Sequence, residues 1–142
     1  MKYKIKQLSV FLENRSGELA DFTKVLSKNG VSIKSIILAD SSDFGLVRSI
    51  VDNPEKAKVV LEDAGFSVRF SEVFGVKIDD YIGSFSKVIE ILAKNDINIF
   101  YTYSFYESTS GVFIFSVDDT SKAVDALTKN GVQIVEAKQF YM

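Results

Sequence analysis

The chain has 142 residues, of which 46% are hydrophobic and 25% charged, and its formal net charge is −2. That balance belongs to an ordinary globular protein and argues against a nucleic-acid partner, which normally demands a basic surface. Cysteine and histidine are both absent, which removes disulfides, thiolates, the usual zinc ligands and the commonest general base, and so weighs against catalysis.

Met1-Lys2-Tyr3-Lys4-Ile5-Lys6 is basic, but Glu13, Arg15 and Glu18 interrupt the apolar run that a signal peptide needs. No apolar stretch is long enough to span a membrane; the expected location is the cytoplasm, with no membrane partner. Leu8, Val10 and Leu12 alternate with Ser9, Phe11 and Glu13, and the first strand is placed at 4–12. A polar loop follows, Asn14-Arg15-Ser16-Gly17-Glu18. Leu19, Phe22, Val25 and Leu26 then recur at helical spacing, giving a helix over 17–28 that Asn29-Gly30 ends.

A second strand is expected over 31–39, a turn at Asp40-Ser41-Ser42-Asp43, and a third strand over 44–51. Asn53-Pro54 combines a capping side chain with proline in the first turn and starts a second helix. Ala57, Val60, Leu61 and Ala64 are its buried stripe, Gly65 stops it, and a fourth strand runs over 66–71.

The chain then repeats itself. Shifted by 66 residues it aligns without a gap: Val10 meets Val76, Gly17 meets Gly83, Leu26 meets Leu92, Gly45 meets Gly111, and Gly65 meets Gly131. The second copy has strands at 73–78, 97–105, 111–117 and 132–140, with helices at 84–94 and 120–129. Each copy reads strand, helix, strand, strand, helix, strand, which predicts an α+β fold of two tandem ferredoxin-like βαββαβ sandwiches, with antiparallel sheets and helices on one face. The domains are placed at 1–71 and 72–142. The joint near Glu72-Val73 has no linker, so the two should be held against each other. Phe100, Phe105, Val112, Phe113, Ile114 and Phe115 put apolar groups on both sheet faces of the second copy, and a further domain or subunit is expected to cover one of them. A homodimer is the simplest assembly that closes such surfaces.

The strand, the Gly loop, the helix and its Asn-Gly ending resemble the opening of an ACT domain, a small-molecule-sensing module of amino-acid metabolism, and the resemblance extends over both copies. It implies that backbone N–H groups of the loop hold the carboxylate of a free amino acid, beside a strand of a neighbouring ACT domain. The site residues it implies are Asn14, Arg15, Ser16, Gly17 and Glu18 in loop one, and Asp80, Tyr81, Ile82, Gly83 and Ser84 in loop two. Asn14 and Asp80 take the position that often receives the ligand's amino group. The family commonly has proline before the glycine; here Ser16 and Ile82 stand there. Without a ligand, each loop is a tight turn that needs glycine for its backbone alone.

The aromatic run Phe100–Tyr106 with Gly111–Phe115 faintly resembles an RNA-recognition strand, but it lacks flanking basic residues, and core or interface aromatics are the better reading. Asp118-Asp119 precedes a helix and should cap it; Asp79-Asp80 faces either a ligand ammonium or a cation, and no metal is expected. The function expected is a non-catalytic regulatory protein that binds a free amino acid, needs no cofactor, and acts through self-association or a separate enzyme or regulator. The alternatives are an assembly module whose sites have decayed, and an acylphosphatase-like hydrolase, for which Asn14-Arg15 has the wrong spacing and context.

Overall fold

A computed structural model describes residues 2–40, 44–107 and 110–142; of the expected turn at 40–43, Ser41 to Asp43 lie outside these. The elements in chain order are β1 (Ile5–Glu13), α1 (Glu18–Lys28), β2 (Ile33–Asp40), β3 (Phe44–Val51), α2 (Pro54–Asp63), β4 (Ser67–Asp79), α3 (Ser84–Lys94), β5 (Ile99–Glu107), β6 (Ser110–Val117), α4 (Thr120–Lys129), β7 (Gln133–Val135) and a 3₁₀ turn at Ala137–Phe140. This is the expected α+β repeat.

The chain divides into two compact units. The first-repeat unit comprises Lys6–Ser71 with Phe140–Met142. Its strands lie in the order β2-β3-β1-β4. β3 is antiparallel to both neighbours, pairing Val10 with Val47 on one side and Leu38 with Val47 on the other. Leu8, Val10, Leu12, Val47 and Val51 meet Phe22, Leu26, Ala57 and Leu61 of the two helices in one core, which gathers the period-2 and period-3.6 stripes of the sequence. Tyr141 accepts a hydrogen bond from the Lys6 backbone N–H at 3.0 Å.

The second-repeat unit comprises Met1–Ile5 with Glu72–Gln139. β4 pairs with β6 and β7, and β6 with β5, all antiparallel. Phe74, Val76, Ile78 and Phe115 pack on Val88, Leu92, Ala123 and Leu127, and Tyr3 joins this core. The N-terminal residues belong here through several contacts: Ala137 N–H bonds the Lys2 carbonyl at 2.8 Å, Lys2 lies 3.5 Å from Glu136, and Lys4 lies 3.4 Å from Glu72.

The repeat extends to detail. Asn53 and Asp119 each accept a side-chain cap from the N–H three residues on, at 3.2 and 3.1 Å. The carboxylates of Asp52 and Asp118 accept from the N–H groups of Ser32 and Asn98, at 2.9 and 3.0 Å. Both acids of the Asp118-Asp119 pair thus serve the fold.

The structure changes two expectations. The strands expected at 66–71 and 73–78 are one continuous strand, β4. The strand expected at 132–140 stops after Val135, because the chain turns to bond Lys2 and to bury Ala137 and Phe140. In the aromatic run, expected to be core or interface, Tyr103 is buried, and Phe100 and Tyr106 lie outside the core, exposed at 61% and 66%. Val112 and Ile114, on the sheet face away from the helices, are buried along with Phe115.

Candidate functional site

Helices need their first N–H groups satisfied. Asn53 and Asp119 do this for α2 and α4, but α1 and α3 follow Gly17 and Gly83, and neither has a side-chain cap. These glycines have φ of 91° and 89°, a conformation that any side chain resists. The strand must turn sharply into the helix, and only glycine does so at low cost. The turn is closed by backbone bonds, Glu18 N–H to the Arg15 carbonyl at 3.4 Å and Ser84 N–H to the Tyr81 carbonyl at 3.1 Å. A Cβ on Gly17 or Gly83 would meet nothing within 4 Å, so no packing contact requires glycine at either position.

The two loops share this backbone but differ in charge. In loop one, Glu18 accepts from the Glu13 N–H at 3.2 Å, and Arg15 lies 3.4 Å from Glu13 and 3.5 Å from Glu18. Glu18 and Asp21 both occupy the first turn of α1. Carboxylates there already balance the positive helix end. The first turn of α3 carries no acid. Lys87 stands where the shift by 66 residues puts Asp21, with its ammonium 3.4 Å from the Tyr81 hydroxyl and 5.2 Å from the ring centroid.

In the second-repeat unit the loop edges a hollow of about 280 Å³, lined by Asp79, Asp80, Tyr81, Gly83 and Ser84, by Phe85 and Ser86 of α3, and by Ile78, Tyr106, Gly111 and Phe113 of the sheet. Four of the five expected loop-two residues are brought together there; Ile82 is fully exposed and outside it. In the first-repeat unit, Arg15 and Glu18 line an open groove of about 560 Å³ beside Asp21, Lys24 and Lys28, and Asn14, Ser16 and Gly17 do not. Tyr106, Gly111 and Phe113 were not expected at a site. The sequence marked that region as an aromatic run, Phe100–Tyr106 with Gly111–Phe115, and as the Gly45–Gly111 match, and not as part of the loop-two site.

Among the described residues no three acidic side chains cluster so as to hold a metal, and no helix is long and apolar enough to cross a membrane.

Two βαββαβ units, each with a glycine-led helix lacking a side-chain cap, define a tandem ferredoxin-like repeat protein. The chain belongs to the ACT domain pair family, whose model matches residues 3–142. The solved structure of protein BT0572 from Bacteroides thetaiotaomicron is 32% identical with a TM-score of 0.93, over 98% of this chain and 96% of that one. The ligand-free regulatory subunit of aspartate kinase from Thermus thermophilus matches with a TM-score of 0.68 at 16% identity, over 89% and 93% of the two chains. The corresponding subunit from Thermus flavus matches with 0.64 at 16%, over 91% and 93%. At that identity these two show a shared fold. No curated protein sequence matches the chain.

Proposed function

We propose that this ACT domain pair is a non-catalytic regulatory protein that binds a free amino acid at loop two. The observation that carries the reading is the start of α3, where a helix end without a side-chain cap or first-turn acid opens beside a hollow rimmed by Asp79 and Asp80. Its N–H groups suit a carboxylate, and the aspartates suit an ammonium, whose desolvation would otherwise go uncompensated. A zwitterion presents both groups. Loop one, with Glu18 and Asp21 already at its helix end, is the poorer carboxylate site, and for this copy the reading as a decayed site is favoured.

Binding is passed on through self-association as a homodimer, or to a separate protein. The aspartate kinase regulatory subunits share the fold, and on that ground a separate enzyme is a reasonable target. A thermal-shift screen of the twenty amino acids tests the proposal. A rise in melting temperature with a subset of them is expected, lost in Gly83→Val and kept in Gly17→Val. No shift with any amino acid would leave the assembly-module reading.

A further inference from the structure

The chemistry of the hollow beyond the loop goes further than an α-amino acid in general. We infer that the ligand of loop two carries an aromatic or large apolar side chain, an inference that rests on the amino-acid reading above. Past the aspartates at its rim, the hollow is walled by Ile78, Phe85, Tyr106 and Phe113. Phe85 and Phe113 pack against each other, with ring centroids 4.7 Å apart and planes tilted by 33°. Tyr106 is 66% exposed and stands beside them at the opening, an exposed ring that nothing in the core requires.

Gly111 adds room. A Cβ there would come within 2.9 Å of the Phe113 ring, so a side chain at 111 would displace the ring that forms the wall. The shift by 66 residues puts Leu19 at the position of Phe85 and Val47 at that of Phe113; these aromatic walls belong to the second copy.

At about 280 Å³ the hollow falls just below the range of about 300–1,000 Å³ usual for drug-sized ligands, a size for one small molecule. Aromatic walls reward a ring or a branched chain. Asp79 and Asp80 oppose an acidic side chain. Small polar side chains would leave the walls uncovered.

Isothermal titration of the wild-type chain with phenylalanine, tyrosine, leucine, alanine, serine, threonine, lysine and aspartate tests this. Burying a large apolar side chain corresponds to roughly ten- to a hundredfold in affinity, so phenylalanine or leucine should bind at least about tenfold tighter than alanine. Phe85→Leu keeps an apolar residue, and Tyr106→Ala changes an exposed one, so both should fold. Each should lower phenylalanine affinity by about three- to tenfold, and more than it lowers alanine affinity. Preferential binding of a small or charged amino acid overturns the side-chain inference and leaves the amino-acid reading standing; a preference for phenylalanine over alanine that is undiminished in both variants overturns the inference that this hollow receives the side chain. Binding of none of the eight, nor of the other twelve, overturns the amino-acid reading and this inference with it.

Discussion

Gly17 and Gly83 make a matched pair for separating backbone strain from ligand contact. Their φ angles are 91° and 89°, and a Cβ at either meets no atom within 4 Å. Alanine therefore adds no clash, and its cost is the left-handed backbone alone, about 1–2 kcal/mol. Against a total stability of about 5–15 kcal/mol the fold survives. With a urea slope of about 2 kcal/mol/M, each variant should lower the unfolding midpoint by about 0.5–1 M. The stability losses should be equal. The binding losses should not be, because the open space at Gly83 belongs to the proposed ligand, whereas carboxylates already occupy the helix end at Gly17. Urea titration by circular dichroism, paired with calorimetry on both variants, reads the two effects separately. Gly83→Ala should weaken the best amino-acid ligand at least about tenfold, and Gly17→Ala should leave it nearly unchanged. Equal affinity losses would refute the asymmetry between the loops, and unchanged stability in both would refute the backbone argument.

Other consequences follow from single residues. Asp96 ends α3 with φ of 56°, where the first copy has Gly30 at 71°, so Asp96→Gly should raise stability by about 0.5 kcal/mol in urea unfolding. Asn53→Ala and Asp119→Ala each delete a side-chain cap and should each cost about 1 kcal/mol. The Glu136 carboxyl is held below the ordinary carboxylate range by Lys138, with Lys2 contributing less. Its stabilising effect is present above the unfolded carboxylate pKa and is lost as pH falls through the lowered folded value. Lys138→Met should accordingly move the Glu136 NMR titration upward. A homodimer should scatter light at about twice the chain mass of 15.8 kDa; a steady monomer mass across micromolar concentrations would contradict it.

The repeat made most of the fold legible. Local signals such as Asn53-Pro54, Asp118-Asp119 and the alternation from Leu8 to Leu12 each specify an element within a few residues of themselves. The end of the chain was not legible in that way. Val132 to Phe140 reads as a strand, and β7 ends early where Ala137 bonds Lys2, across most of the sequence, and Ala137 and Phe140 are buried. The candidate site divides along the same line. The loop residues Asp80, Tyr81, Gly83 and Ser84 are contiguous and carry the Gly-turn signal. Tyr106, Gly111 and Phe113 reach the same hollow only because β4, β6 and β5 are neighbours in the sheet. Their alternation marked them as sheet aromatics, without showing which end of the sheet the loop would meet.

If loop two reads both ends of a zwitterion, Asp80 is the residue on which the ammonium end depends. Asp80 is exposed at the rim of the hollow, so its removal should not disturb the fold. A charge-assisted hydrogen bond contributes about 1.5–3 kcal/mol. The best amino-acid ligand and its des-amino analogue should be titrated side by side on the wild-type chain and on Asp80→Ala. The amino acid should weaken by about ten- to a hundredfold, and the des-amino acid should not. Equal losses for the two ligands would mean that Asp80 shapes the loop and that the amino group is not read there.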